Sequence, residues 1–339
     1  MNRRAFLAAS AGLSAVAACA PVIQTAYQPR SGFAGPRLDD EAFVSFDGAR
    51  LGLTGWPAEG ETTGVVCALH GMNDYANAFH LIAPVLAGQG VTTYAFDQRG
   101  YGRSPNRGVW AGQALIKQDV ETFIGLVRAR HPGVPLTLMG ESMGGADAIV
   151  TMAEPDAPAV DRIVLLAPAV WGWSNQPLPY KTALWITAHV AGPHVMEPPE
   201  FLVRNIWPTD NKDELRAMGR DKWMVWGARN DTLYGMVDLM EQAWALTGRL
   251  KPPVLYCYGK HDPIIPARPS FQAAGRLKPT DRSAYYADGY HLLTRDHNGP
   301  NVIADVAAFI RDPRAPLPSG APVIPGAPTL PNSRVASGL

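Results

Sequence analysis

From residue 41 onward the chain alternates between short unbroken apolar runs and longer amphipathic stretches. Val65-Val-Cys-Ala-Leu69, Val91-Thr-Thr-Tyr-Ala-Phe96, Leu136-Thr-Leu-Met139, Ile163-Val-Leu-Leu-Ala167 and Val254-Leu-Tyr-Cys-Tyr258 have strand length and no polar-out alternation. Runs of that kind are buried on both faces, as in a parallel sheet covered by helices. Helical stretches fall at residues 77–89, 113–130 and 301–311, and Arg282-Ser-Ala-Tyr-Tyr-Ala287 adds a late strand. Ahead of the first run, Phe43-Val-Ser-Phe46 and Arg50-Leu-Gly-Leu-Thr54 flank Asp47-Gly48, a hairpin whose turn needs positive φ angles. Strand and helix in alternation predict an α/β fold with a mostly parallel sheet and helices on both faces.

The rhythm breaks between residues 169 and 251. Seven of the nine tryptophans fall there, and from Ala169 to Met196 the only formally charged residue is Lys181. So apolar an insertion between two sheet strands reads as a cap over a site, with Trp171, Trp173 and Trp185 as candidate contacts for an acyl chain. The plainer alternative is that these rings pack the insertion onto the core. Residues 41–168 and 252–312 are assigned to the core and residues 169–251 to the cap. Residues 19–40 read as a flexible tether, and residues 313–339, rich in Pro, Ala and Ser, as a disordered tail.

With 339 residues, 47% hydrophobic and 18% charged, the chain suffices for one large α/β domain with an insertion. A formal net charge of zero and no basic block remove the electrostatic case for nucleic acid or anionic lipid, leaving a small neutral or amphipathic substrate. Residues 1–18 need separate treatment. Asn2-Arg3-Arg4-Ala5-Phe6-Leu7 is a twin-arginine start, followed by an apolar run too short to span a bilayer. Val16-Ala17-Ala18-Cys19 resembles a bacterial lipoprotein cleavage box, so the expectation is an exported cell-envelope lipoprotein held on a membrane by lipid at Cys19. An ordinary secretory signal cut near Ala20 is the alternative. The remaining Cys67 and Cys257 lie in apolar strands as small hydrophobes, and neither a disulfide framework nor metal-ligand spacing can be built from them.

The run at Leu136 leads into Gly140-Glu141-Ser142-Met143-Gly144-Gly145 and then a helical stretch that ends before Pro155. Gly-x-Ser-x-Gly also arises by chance in a chain with 33 glycines, and the strand before it and helix after it are what give it weight. A tight strand-to-helix corner lifts the Ser142 hydroxyl clear of the sheet, and the N–H of Met143, at the helix start, can meet an anion forming there. The run at Val65 ends in His70-Gly71-Met72, the usual place of a second such donor, here the Met72 N–H, with His70 bracing the loop. Asp97-Gln-Arg99-Gly100-Tyr-Gly102 puts two glycines after a strand, but Pro105 stands where a dinucleotide fingerprint needs glycine. Asp97 and Arg99 are expected to bond backbone or one another beneath the site.

A serine hydroxyl needs a base to attack a carbonyl, and an imidazole base needs a carboxylate to fix its tautomer. Where the acid follows the nucleophile and the histidine comes last, Asp262, after one strand, and His291, after the next, fit the places. His261, His297 and Asp288 stay open as rivals in neighbouring loop positions.

Taken together, Gly140-Glu-Ser-Met-Gly-Gly145, His70-Gly71, Asp97-Gln-Arg-Gly-Tyr-Gly-Arg-Ser104, Gly259-Lys-His-Asp262-Pro and Gly289-Tyr-His291 resemble the lysophospholipase and monoacylglycerol lipase branch of the α/β-hydrolases, of serine aminopeptidase S33 type. The resemblance implies the α/β-hydrolase fold, with a mostly parallel eight-stranded sheet and a helical cap inserted after the sixth strand. It implies Ser142, Asp262 and His291 as catalytic residues, Met72 and Met143 as oxyanion donors, and hydrolysis of apolar acyl esters without metal or cofactor. The branch commonly has His-Gly-x-Gly-Glu-His where this chain has His70-Gly-Met-Asn-Asp-Tyr75, which bears on head-group contacts and not on a backbone donor. Acyl transfer with the same residues, peptide or amide cleavage, and a non-catalytic surface protein of this fold remain as alternatives.

Overall fold

Each long apolar run becomes a strand of one sheet. The computed structural model of this protein describes residues 20–197 and 206–329, so residues 1–18, expected to be an export segment, and Cys19 lie outside the described residues. The first strands are β1 (Arg37–Leu38), β2 (Ala42–Val44), β3 (Arg50–Trp56) and β4 (Gly64–Leu69). A 3-10 turn (Ala76–Phe79) and α1 (Ile82–Ala87) lead to β5 (Val91–Phe96) and α2 (Gln113–Arg130). β6 (Leu136–Glu141), α3 (Met143–Met152) and β7 (Arg162–Leu166) follow. The insertion after β7 holds α4 (Leu178–Val190), a small ribbon of β8 (Val195–Met196) with β9 (Ala228–Arg229), and α5 (Lys212–Arg220). α6 (Asn230–Leu246), β10 (Val254–Gly259), α7 (Ala267–Ala274), β11 (Arg282–Tyr286) and α8 (Gly299–Arg311) complete the order.

The sheet has nine strands in the order β1-β2-β3-β5-β4-β6-β7-β10-β11. From β5 to β11 every pairing is parallel, and β1 to β3 form an antiparallel edge that joins at β5. The count exceeds the expected eight because the two-residue β1 pairs with β2, and by the same count the insertion follows the seventh strand, not the sixth.

Burial on both faces explains the unbroken apolar runs. In β4, Val65, Cys67 and Leu69 point to one side, where they join Phe123 of α2, Ile149 of α3 and Leu239 of α6. Val66 and Ala68 point to the other, against Ile82 of α1 and Phe309 of α8. Each such aliphatic side chain contributes roughly 1.5–3 kcal/mol when fully withdrawn from water. The hairpin expected at Asp47-Gly48 forms as β2 and β3, with Gly48 at φ +80°.

Both chain-end assignments need correction. Residues 22–38 are laid on the domain: the Val22 N–H donates to Asp231 Oδ2 at 3.3 Å, Gln24 N–H to the Trp110 carbonyl at 2.9 Å, and Tyr27 N–H to Asp47 Oδ2 at 2.8 Å. Beyond Pro313 the described tail packs along β11. The Tyr285 N–H donates to the Pro322 carbonyl at 2.8 Å, Ile324 N–H to Ser283 Oγ at 3.1 Å, and Ile324 is fully buried. Proline-rich composition hides this because the tail is anchored by a few specific groups, not by periodic apolar faces.

The segment between residues 169 and 251 is not uniform. α4 is largely exposed, with Ala188 its only buried residue, and α5 has none. α6 instead buries Met236, Val237, Leu239, Met240 and Ala243 in the core cluster that holds α3. No described helix is long and apolar enough to cross a membrane.

Candidate active site

The parallel strands bring their C-terminal ends to one edge, the position at which open α/β sheets hold their chemistry. β4 delivers His70 to Asp74 there, β6 delivers Ser142, β10 delivers Asp262, and β11 delivers His291.

Ser142 sits between β6 and α3 at φ +52° and ψ −115°, a left-handed backbone that costs a non-glycine residue of order 1–3 kcal/mol. The corner is held by the Ser142 N–H on the Leu166 carbonyl at 2.9 Å and by the Ala169 N–H on the Ser142 carbonyl at 2.9 Å. Its glycines are sterically forced. A Cβ on Gly140 would stand 2.2 Å from the Gly144 carbonyl oxygen, and one on Gly144 would stand 2.0 Å from that of Leu69. Met143 is the first residue of α3, so its N–H has no acceptor within the helix. Gly71 lies directly alongside, since a Cβ there would be 3.2 Å from Ser142 Cβ, and this places the Met72 peptide next to the Ser142 corner.

His291 and Asp262 meet. His291 Nδ1 is 2.8 Å from Asp262 Oδ2, while Asp262 Oδ1 accepts the N–H groups of Ile264 and Ile265 at 2.8 and 2.9 Å. A carboxylate so held accepts from Nδ1–H and leaves Nε2 as the free nitrogen of a neutral ring. Burial disfavours the imidazolium, but the Asp262 charge and hydrogen bond, with Glu141 beyond, outweigh it and raise the His291 pKa above the ordinary imidazole value.

The rivals separate by position. His261 is exposed, with its ring 5.4 Å from that of Tyr290, and Asp288 is exposed as well. His297 donates its backbone N–H to Asp210 at 2.8 Å. His70 is occupied on both ring nitrogens: Nε2 accepts the Gln98 N–H at 2.8 Å and Nδ1 donates to the Gly71 carbonyl at 2.8 Å. It braces the loop. Asp97 and Arg99 do not pair with one another. Asp97 binds Arg103 and the Ala76 N–H, and Arg99 lies between Asp47 and Asp119 in a buried cluster.

The loop that departs from the branch pattern is explained by its contacts. Asn73 stands where glycine is common and adopts φ +68°, a conformation that asparagine tolerates better than most residues. Asp74 accepts from Arg295 Nη1 at 2.7 Å, and the Tyr75 hydroxyl donates to Asp221 beside α5 at 2.6 Å. Arg295 also donates to Glu141 Oε1 at 2.5 Å, and the sequence reading missed this residue entirely. Its one available signal was an arginine four positions after the candidate base, which by itself says nothing about partners.

Of the three tryptophans, Trp173 and Trp185 line a cavity of about 450 Å³ with Lys181, Thr182 and Tyr234, and both Trp171 and Trp173 pack against the core. Trp173 Nε1 donates to Asp238, so that ring is fixed, and Trp185 is half-exposed and stacked on His189. Cys67 and Cys257 are buried free thiols, their pKa values pushed up by burial. No group of three or more metal-ligating side chains occurs among the described residues.

A parallel sheet with this strand order, with a serine at a strained strand-to-helix corner and a histidine–carboxylate pair at the same sheet edge, is that of an α/β-hydrolase. Residues 60–298, well over half of the chain, match the family described as serine aminopeptidase, S33, and the chain belongs to that family of hydrolases. It is 25% identical over 284 residues to a monoacylglycerol lipase of Mycolicibacterium smegmatis, covering 80% of this chain and 96% of that one. A human monoglyceride lipase is 25% identical over 268 residues, covering 77% and 86%. Among solved structures, a soluble variant of monoglyceride lipase from Saccharomyces cerevisiae in complex with a substrate analog superposes with a TM-score of 0.65 at 20% identity, covering 84% of this chain and 98% of that one. A thermostable carboxyl esterase from Bacillus coagulans superposes with a TM-score of 0.68 at 17% identity, covering 80% and 97%. At those identities the superpositions establish the fold.

Proposed function

We propose that the protein is a serine carboxylic-ester hydrolase that cleaves monoacylglycerols, lysophospholipids or similar apolar acyl esters through an acyl-enzyme. The observation that carries this is the His291–Asp262 hydrogen bond, at the same sheet edge as a serine held on a forced corner. Ester hydrolysis is supported by the relatives' names, and the apolar acyl group by the tryptophan-rich, nearly uncharged run from Ala169 to Met196.

Ser142 Oγ attacks the ester carbonyl carbon while His291 Nε2 takes its proton. Asp262 holds Nδ1–H and offsets the imidazolium charge. The oxyanion is met by the N–H groups of Met72 and Met143. Collapse breaks the bond to the alcohol oxygen, which leaves with the proton from His291. Water then gives a proton to the same nitrogen and attacks the acyl carbon, and collapse breaks the bond to Ser142 Oγ, which takes that proton back from His291 as the acid departs.

Steady-state hydrolysis of 1-monoacylglycerols and of p-nitrophenyl esters of rising acyl length, by wild type and Ser142→Ala, tests this reading. Rates should climb into medium or long chains and fall about 10⁴-fold or more in the variant. Decline beyond short acyl groups would remove the lipid substrate class, and an unchanged rate in the variant would refute the mechanism. Because the family is described as aminopeptidase, aminoacyl anilides belong in the same series, and faster anilide than ester turnover would favour amide cleavage.

Export and anchoring are proposed on the sequence of residues 2–19 alone. Metabolic labelling with palmitate should mark the wild type and not Cys19→Ala. Label retained by the variant would rule out that anchor.

A further inference from the structure

Three loops meet at one side chain. Arg295 is almost fully buried, donates from Nη1 to Asp74 at 2.7 Å, and donates from Nη2 to Glu141 at 2.5 Å. Asp74 ends the loop that carries Met72, Glu141 immediately precedes Ser142, and Arg295 lies one turn after His291. The two carboxylates are separated from it by 221 and 154 residues along the chain, so nothing local brings them together. Glu141 is itself fully buried, and its Oε2 finds no partner among the described residues, so the guanidinium is its one charge-paired contact.

We infer that Arg295 is a positioning residue for acyl transfer: its forked guanidinium ties the oxyanion loop, the nucleophile corner and the base loop into one rigid frame. This rests on the serine-hydrolase reading above. A fork with two fixed donors holds two carboxylates at a set separation and angle, which a lysine ammonium cannot do. Errors of about 1 Å in the placement of reacting groups can cost on the order of a hundredfold in rate, so the frame matters for turnover without touching substrate.

The frame also sets charge around the base. The charged groups facing His291 are Asp262 from the β10 loop, Glu141 from the end of β6, and Arg295 from its own loop. Glu141 favours the imidazolium and Arg295 opposes it. Glu141→Gln keeps the cation and removes one anion, so the acid limb of kcat/KM should move to lower pH. In Glu141→Gln/Arg295→Met both charges go, and the limb should return toward that of wild type while the rate stays low.

The experiment measures kcat, KM and the pH profile of p-nitrophenyl ester hydrolysis in Arg295→Lys, Arg295→Met, Glu141→Gln and the double variant, alongside circular dichroism. Arg295→Lys should fold and lose roughly tenfold or more in kcat with KM changed by less than about threefold. If Arg295→Met does not fold, Arg295→Lys and Glu141→Gln carry the test. Folded variants with wild-type kcat, or Glu141→Gln with an unmoved acid limb, would overturn the proposal. Wild type that neither turns over esters nor reacts at Ser142 with a fluorophosphonate would instead overturn the functional reading on which it rests.

Discussion

The Asp262 carboxylate is engaged on both sides, one oxygen by two backbone N–H groups and the other by the imidazole, so the ring of His291 is locked in a single orientation. Asp262→Asn keeps the shape, but with its oxygen held by the Ile264 and Ile265 N–H groups it turns an NH2 donor toward Nδ1, which favours the wrong tautomer. kcat for ester hydrolysis should drop about 10³–10⁴-fold with KM nearly unchanged, and a loss below about tenfold would mean that another group orients the base. The raised pKa of His291 gives a second outcome. In the proposed mechanism His291 works as a base when neutral, so kcat/KM should fall on acidification with a midpoint above about 6.5, the ordinary imidazole value. The stability contribution runs the other way. With the folded pKa above the unfolded one, it is complete below the unfolded value and lost as pH rises through the folded value. Urea unfolding of wild type and His291→Gln should therefore differ more at pH 6 than at pH 9.

Among elements, the strand-to-helix corner and the seam between the insertion and the core carry separate expectations. Gly144→Ala drives a methyl into the Leu69 carbonyl, so it should destabilise the fold by about 3 kcal/mol or more in urea unfolding. A variant of near-wild-type stability would mean that β4 and α3 can move apart. Across the seam, Nε2 of His80 lies 3.4 Å from Glu214 of α5, and that hydrogen bond raises the His80 pKa above the ordinary value despite burial. This latch is complete at acidic pH and weakens as pH rises through the folded His80 pKa. After correction for intrinsic rates, amide exchange in α5 should be faster at pH 9 than at pH 6, and that difference should vanish in His80→Phe. An equal difference in the variant would show that the latch plays no part.

At the scale of the whole molecule, the sequence shows what is local and hides what is not. Gly-x-Ser-x-Gly announces Ser142 because the corner that needs it spans five residues, and chain order points to Asp262 and His291 because each directly follows a strand. Arg295, Glu141 and Asp74 were illegible because their grouping exists only after β4, β6 and β11 align. Residues 22–38 and 313–329 were misread for a related reason: single groups such as Ile324 and the Pro322 carbonyl dock them, and composition does not register single groups. Truncation after Asp312 should accordingly cost on the order of 2–4 kcal/mol, since it exposes Ile324 and unpairs the Tyr285 N–H at the outer edge of β11. Unchanged urea unfolding would mean that the tail only rests on the sheet.

The most direct test of the central claim is covalent. Wild type, Ser142→Ala and His291→Ala would be treated with a fluorophosphonate at neutral pH and the modified peptide mapped by mass spectrometry. The expected result is a single adduct on Ser142 in wild type, none in Ser142→Ala, and labelling slowed by at least about a hundredfold in a folded His291→Ala. An adduct on another residue, or equal labelling of Ser142 without His291, would contradict the assignment of nucleophile and base.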